Sequence, residues 1–224
     1  MLRKEIRDII ADSRGRGWVF EPEAKRVLTV SGIDVPNSTW AKSLEKAIRF
    51  TAKIGYPVAA KVVSPQVLHK SDVGGVVLGI DSDDKLSETF NRFSTFQGFA
   101  GMLVEEMVAG AELIIGAKVD YQFGPIIVLG IGGTGVEIYK DTTLRMAPLK
   151  ESDVASMLKG LKAHQLLEGY RGSESVNLER LNTTMLAFSR LVMRLEDYFE
   201  SIDLNPVMCS SERCVVADAR IMLK

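Results

Sequence analysis

The chain has 224 residues, of which 46% are hydrophobic and 25% charged, enough to build one large globular domain or two small lobes. The net charge of −1 provides no global positive field, which argues against nucleic acid or an acidic membrane surface as a partner. The N-terminal segment is charged throughout, and no stretch approaches the roughly 20 apolar residues that span a bilayer. We therefore expect a cytoplasmic protein with neither a membrane nor a nucleic-acid partner.

The cysteines are few. Cys209 and Cys214 are the only two in the sequence, which is too few for a zinc site on their own. In a reducing cytosol they are not expected to form a disulfide. We expect both to be structural thiols.

The first third of the chain predicts three helices. Residues 3–14 carry isoleucines at helical spacing, and a second helix over residues 21–32 has Pro22 near its first turn and Gly32 as its stop. A short strand and turn follow in residues 33–40. Residues 43–55 then predict a helix that is capped by Ser43 and closed by Gly55.

The stretch from residue 57 to residue 80 predicts a strand, a polar loop and a second strand. Two apolar runs rich in β-branched residues flank a polar segment that ends in Gly74 and Gly75. Lys61 lies inside the first run, where an ammonium is costly to bury unless an anion meets it. The glycines let the backbone approach a ligand closely. A phosphate is therefore a natural partner for this stretch, although a structural ion pair would also explain Lys61.

His69 lies in the polar loop of the same stretch, beside Lys70 and Ser71. A lone loop histidine is most often solvated or hydrogen-bonded locally. Imidazole is also a nucleophile near neutral pH, and a phosphohistidine is a good phosphoryl donor. The residues alone leave both interpretations open.

The middle of the chain predicts a helix over residues 82–96 and two strands around Gly110. The segment from Gly130 to Gly135 formally satisfies G-x-G-x-x-G, but the residues that follow alternate like a strand, whereas a dinucleotide fingerprint requires a helix there. We therefore reject a Rossmann site, and the absence of a Walker A sequence disfavours a P-loop. Arg145, which follows, would on its own more often be a surface ion pair.

Two helices, over residues 152–161 and 178–198, are separated by a polar linker, and residues 201–223 predict a pair of strands with a polar turn. Asp203 and Asn205 are two residues apart, so both point to one face of the first strand, and Asp218 on the return strand can face them. Such hard oxygen ligands suit Mg²⁺. A D-x-N-P sequence alone is as often a turn as a metal site.

Several motifs together resemble the ATP-grasp domains of ADP-forming acyl-CoA synthetases, and the resemblance covers nearly the whole chain. They are LHKSDVGG, the G-I-x-V-P after the second helix, FGP, GIGG, GYRG and DLNP. The histidine loop is the specific part. The resemblance implies an α/β (α+β) ATP-grasp fold of two lobes with the nucleotide between them. Residues 1–20 would form an N-terminal helix, residues 21–102 the first lobe and residues 103–224 the second lobe.

The resemblance also implies roles for single residues. His69 would carry the phosphoryl group, Lys61 and Arg145 would face phosphate, and Gly74 and Gly75 would belong to the phosphate-covering loop. The link between the lobes, formed by Glu105, Glu106 and Met107, would contact the adenine. Glu112 would lie near the nucleotide. Magnesium would be bound by Asn205 and Asp218, with Asp203 beside them. His164 has no role in the family, because AHQLLEGYRG departs from the commoner GYPLLKGYRG, and we expect a surface or packing histidine.

The implied function is that of the nucleotide-binding subunit of a split acid–thiol ligase, an ADP-forming acetate–CoA ligase. That reaction converts acyl-CoA, ADP and phosphate into a carboxylic acid, CoA and ATP with Mg²⁺. Nothing in the chain resembles the CoA-binding domain or the domain with the first phosphohistidine. We therefore expect an α subunit to supply both, in a hetero-oligomer with two copies of each subunit.

Two alternatives remain at this point. An ATP-grasp carboxylate ligase would pass the phosphoryl group directly to a carboxylate and would have no need of His69. A nucleotide-sensing module of a protein acyltransferase system would bind nucleotide without forming phosphohistidine. The apparently intact set of lysine, histidine, arginine, asparagine and aspartate favours working phosphoryl transfer over both.

Overall fold

A computed structural model describes residues 2–133, 141–169 and 174–224. The chain divides into two compact units: an inserted unit, Pro36–Val108, and a composite unit that joins Met1–Val35 to Ala109–Lys224. These bounds differ from the predicted 1–20, 21–102 and 103–224. The reason is that Trp18 and Val19 pair with the C-terminal strand, which brings the second predicted helix into the composite unit.

The helices lie close to their predicted positions. In chain order they are α1 (Lys4–Ser13), α2 (Glu21–Val30), α3 (Leu44–Ile54), α4 (Asp83–Ser94), α5 (Glu151–Gly160) and α6 (Leu178–Leu195). Ser43 caps α3 as predicted by accepting a hydrogen bond from the Lys46 amide, and Gly55 ends it with a φ of 84°. None of the helices in the described part of the chain combines the length and apolar content that crossing a bilayer requires.

The inserted unit is a four-stranded antiparallel sheet covered by α3 and α4. Its strands are β2 (Ser38–Ala41), β3 (Val58–Val63), β4 (Val76–Ile80) and β5 (Gly101–Glu106), in the order β2-β5-β3-β4. Leu86 and Phe93 of α4 pack in one core with residues of β3 and β5. All six residues of β3 are buried, which places Lys61 in an apolar setting, as its sequence predicts.

The composite unit is built around a seven-stranded sheet. Its strands are β1 (Trp18–Val19), β6 (Ala111–Asp120), β7 (Gly124–Ile131), β8 (Thr142–Met146), β9 (Phe199–Cys209), β10 (Cys214–Val216) and β11 (Ala219–Leu223). The order is β1-β11-β9-β6-β7-β8, and β10 also pairs with β9. The apolar face of α6 is buried in this core, together with Val27 and Leu28 of α2. The predicted C-terminal strand pair is therefore three strands, because the return path divides at Ala217 and Asp218.

Two smaller expectations are confirmed here. Cys209 and Cys214 lie opposite each other on β9 and β10, and both are free and buried. Hydrogen bonding to Cys214 and burial raise the pKa of Cys209 far above that of an ordinary thiol. His164 is half-buried, and its Nδ1 lies 3.0 Å from the Leu161 carbonyl oxygen, to which it donates, so it acts as a packing histidine.

Parts of two predicted motifs lie outside the described residues. They are residues 134–140, which hold the end of the glycine segment and the start of the strand-like run predicted after it, and residues 170–173, in the GYRG linker. After the first gap the chain continues as strand β8, paired with β7 in antiparallel register.

Candidate active site

Lys61 forms a buried ion pair in the inserted unit. Its Nζ lies 3.1 Å from Oε2 of Glu105, and the two side chains are 8% and 3% exposed. The partners come from neighbouring strands, since Lys61 lies opposite Leu103 and Glu105 opposite Ala59. The two side chains are therefore diagonal neighbours on one face of the sheet. Glu105, predicted as part of the adenine contact, has its side chain committed to the lysine.

The loop after β3 presents His69 at the surface and is tied back to the strand of Lys61. His69 is exposed, and residues Ser71–Val73 form a short 3-10 turn that ends at Gly74, whose φ is 67°. The Gly75 amide donates to the Lys70 carbonyl at 2.7 Å, and the Gly75 carbonyl accepts from the Val62 amide at 2.9 Å. A Cβ on Gly75 would lie 2.6 Å from Cγ1 of Val62. The glycine thus permits the close approach that the sequence predicts.

The end of β5 holds the residues expected at the adenine. The Glu106 amide donates to the Asn37 carbonyl at 2.9 Å, and the Glu106 carboxylate accepts from the Asn37 side chain at 2.8 Å. Met107 follows the strand and is 41% exposed. The Glu106 amide is thus engaged within the unit. The adenine role of Glu105, Glu106 and Met107 stays a prediction.

The predicted metal ligands of the composite unit lie on β9, which carries Asp203 and Asn205, and on the link between β10 and β11, which carries Asp218. The main-chain amide of Asn205 donates to the main-chain carbonyl of Asp218 at 3.2 Å, so these two residues lie opposite each other. Asp203 is opposite Arg220 in the register of β9 and β11, and the guanidinium Nη2 lies 3.5 Å from its Oδ2. Burial raises the pKa of Asp203, while the Arg220 charge opposes that shift.

The oxygen donors at this link suit Mg²⁺, which needs few protein ligands, better than a metal that requires three or four side chains. Within the described ranges, no three His, Cys, Asp or Glu side chains converge into a group that could hold a metal ion. Asn205 and Asp218 instead offer one amide and one carboxylate, both hard oxygen donors. Mg²⁺ is usually bound by one or two protein oxygens and keeps waters and phosphate oxygens as its remaining ligands. The residues therefore fit a magnesium–nucleotide complex.

Arg145 and Glu112 lie on other strands of the same sheet. Arg145 is exposed on β8 and donates to the Leu144 carbonyl and to Oγ of Ser156, each at 2.8 Å. In the strand order, β6 and β7 separate β8 from the strand of Asn205. Glu112 is exposed on β6, and its carbonyl accepts a hydrogen bond from Gly132 of the glycine segment. The phosphate role of Arg145 and the nucleotide role of Glu112 stay predictions.

The sequence interpretation missed a second buried ion pair, Glu21 and Lys25 on α2. Lys25 Nζ lies 2.9 Å from Oε1 of Glu21 and 2.7 Å from the carbonyl oxygen of Ala217, next to Asp218. The signal in the sequence is a Glu and a Lys four residues apart. That spacing usually marks an exposed helix face, so it does not distinguish this pair from a surface one.

The ATP-grasp domain model matches residues 10–223. The chain is 41% identical to the β subunit of ADP-forming acetate–CoA ligase II from Pyrococcus furiosus, with 99% of this chain and 97% of that subunit covered.

Two solved structures from Ca. Korarchaeum cryptofilum resemble the fold. ACD1 in complex with coenzyme A has 40% identity and a TM-score of 0.92, covering 98% of this chain and all of that one. Acetyl-coenzyme A synthetase 1 with coenzyme A and Mg-AMPPCP, its phosphohistidine segment pointing towards the nucleotide binding site, has 38% identity and a TM-score of 0.86 over the same shares. The chain therefore belongs to the ATP-grasp family, among the β subunits of ADP-forming acetate–CoA ligases.

Proposed function

We propose that this chain is the nucleotide-binding subunit of an ADP-forming acyl-CoA synthetase and passes a phosphoryl group from phospho-His69 to ADP. The observation that carries the proposal is the position of His69: it is exposed, in a loop whose base is hydrogen-bonded to the strand of Lys61. An exposed imidazole can receive a phosphoryl group from a second protein. A buried lysine on the adjoining strand supplies the positive charge that phosphate needs.

The oxygen donors of the composite unit would hold the metal. Asn205 and Asp218 would bind Mg²⁺, with Asp203 close by and restrained by Arg220. When bound, the ion supplies charge neutralisation of the nucleotide phosphates. Lys61 and Arg145 would bind phosphate oxygens, and Gly74 and Gly75 would let the loop backbone approach them. The link of Glu105, Glu106 and Met107 would contact the adenine, with Glu112 near the nucleotide.

The proposed step is an in-line phosphoryl transfer. A lone pair on a β-phosphate oxygen of ADP forms the new P–O bond while the P–N bond of phospho-His69 breaks. The electron pair of that bond returns to the imidazole nitrogen, so the products are ATP and unmodified His69. The protein contributes positioning and positive charge, which is what this class of reaction requires.

The thioester chemistry would belong to a partner. A CoA-binding α subunit with its own phosphohistidine would convert acyl-CoA and phosphate into acid and CoA and would phosphorylate His69. We propose a cytoplasmic hetero-oligomer with two copies of each subunit. Purified alone, the chain should bind Mg-ADP but should not convert acyl-CoA to acid. Acyl-CoA turnover without a partner would contradict the proposal that the thioester chemistry belongs to the α subunit.

The first test is incubation of the full chain with γ-labelled ATP and Mg²⁺, which runs the transfer in reverse. We expect acid-labile, base-stable label on wild type and a loss of at least 100-fold in His69→Ala. The matched control is His164→Ala, since these are the two histidines of the chain. The control should label like wild type. Label that persists in His69→Ala, or ATP binding without label even when the α subunit is added, would contradict the proposal.

A further inference from the structure

The buried pair of Glu21 and Lys25 touches the link that carries Asp218. The two side chains are 3% and 2% exposed, which is unusual for Glu and Lys at helical spacing. A buried ion pair adds little net stability over an apolar pair of the same volume, because removing both charges from water is costly. Fold stability alone is therefore a weak explanation for placing charges here, and the position of the ammonium suggests another.

The lysine ammonium contacts the backbone of the link. Its Nζ donates to the Ala217 carbonyl at 2.7 Å, and the Ala217 amide donates to the Pro206 carbonyl at 2.9 Å. One residue later, the Asp218 carbonyl accepts from the Asn205 amide. Three consecutive peptide groups are thus oriented: Lys25 orients the one before Asp218, and β9 orients the ones on either side of it. Their orientation fixes where the side chain of Asp218 leaves the backbone relative to Asn205.

We propose that Lys25, held by Glu21, is a positioning residue for the Asn205–Asp218 metal pair. This inference rests on the proposed function, since it assigns Lys25 to the same magnesium site. A charge-assisted hydrogen bond to a main-chain oxygen is stronger and more directional than a neutral one, so it limits rotation of the peptide plane before Asp218. A metal with a strict preference for octahedral geometry is sensitive to such restraint.

The test measures metal-dependent and metal-free nucleotide binding separately on the full chain. The variant is E21Q/K25M, which removes both charges and keeps side-chain length. Mn²⁺ is the probe, titrated in the presence of ADP and followed by electron paramagnetic resonance, and ADP binding in EDTA is measured in parallel. We expect E21Q/K25M to weaken Mn-ADP binding at least tenfold and to leave ADP binding in EDTA within twofold of wild type.

Two controls separate positioning from simple loss of stability. Val27→Ala removes buried volume from the same helix and leaves both charges in place, and it should bind Mn-ADP like wild type. Asp218→Ala should lose metal-dependent binding. If E21Q/K25M does not fold, E21L/K25M replaces the pair by apolar groups, which buried ion pairs often tolerate.

The outcomes distinguish the inference from the function beneath it. Wild-type Mn-ADP affinity in the folded double variant, with binding lost in Asp218→Ala, overturns the positioning role alone. Undiminished Mn-ADP affinity in Asp218→Ala overturns the metal site and the inference with it. Equal weakening in E21Q/K25M and Val27→Ala also overturns the inference, because both would then act through stability.

Discussion

Two buried lysine–glutamate pairs in the described part of the chain are built in different ways. Lys25 and Glu21 lie one turn apart on α2, and the ammonium is also hydrogen-bonded to a main-chain oxygen. Lys61 and Glu105 come from neighbouring strands, and the strand of Lys61 leads into the loop of His69. The distances are similar, at 2.9 and 3.1 Å, and both pairs are almost completely shielded from water. Distance and burial alone therefore do not separate a positioning pair from a ligand-binding one.

The difference lies in what each lysine stands next to. The Lys25 ammonium contacts the backbone of the link that carries Asp218, so its effect on a ligand would be indirect. The proposed role of Lys61 is direct, because a phosphate would share the ammonium with Glu105. A lysine already paired with a carboxylate can bind phosphate when the extra anion is balanced by other cations.

The largest effect we expect is from Lys61→Met. The variant leaves Glu105 buried without its cation, and breaking one half of a buried pair costs about 3–5 kcal/mol. Urea unfolding should show this loss, and phosphorylation of His69 should fall at least 100-fold.

The companion variant K61M/E105Q sharpens the contrast between the pairs. Removing both charges should recover most of the lost unfolding free energy but none of the phosphorylation. In the Lys25 pair, the corresponding E21Q/K25M should retain metal-free nucleotide binding. Recovery of phosphorylation in K61M/E105Q would show that Lys61 does not bind phosphate and that its role is confined to the ion pair.

A smaller effect is expected from Gly75→Ala. The added Cβ would lie 2.6 Å from Val62 Cγ1 and 3.0 Å from the Lys70 carbonyl oxygen, so Val62, on the strand of Lys61, or the loop at residue 75 must shift. Overpacking of this kind costs about 1–3 kcal/mol. Thermal unfolding measures the loss of stability, and labelling of His69 by ATP measures the effect on the loop. Gly15→Ala, whose Cβ would meet nothing within 4 Å, is the control and should match wild type in both.

The smallest effect is expected from Arg220→Gln. The Asp203–Arg220 pair spans 3.5 Å, and its side chains are 43% and 28% exposed. Pairs with this exposure contribute about 0–1 kcal/mol. Chemical denaturation should therefore detect little change. A loss comparable to that of Lys61→Met would mean that this pair behaves like the buried ones.

The sequence predicts the elements of this fold well because their signals are local. Ser43 and Gly55 delimit α3 by capping chemistry, and the buried run of β3 is apolar on both faces apart from Lys61. The unit boundaries were harder to predict, since the pairing of Trp18 with Met222 depends on residues at opposite ends of the chain. Periodicity describes neighbours along the chain and carries no information about such a pairing.

In the candidate site, too, features with a local signal were predictable and contacts between distant residues were not. Lys61 is recognisable because a charge interrupts an apolar strand, and Asp203 and Asn205 because two-residue spacing places them on one face. Glu105 was assigned to the nucleotide link, and nothing in its local sequence indicates that it pairs with Lys61 across the sheet. Lys25 was missed because a helix with Glu and Lys four residues apart has the same pattern whether that face is wet or buried.

The pairing of β1 with β11 in the composite unit affects the order in which the two units can fold during synthesis. The inserted unit is complete in the nascent chain once residue 108 has been made, whereas the larger sheet waits for β9 and β11 and depends on contacts of high sequence separation. Pulse-labelled hydrogen exchange during refolding should therefore protect β3 and β5 before β9 and β11. The strand of Lys61 would form early, while Asn205 and Asp218 would meet only when the chain is nearly finished.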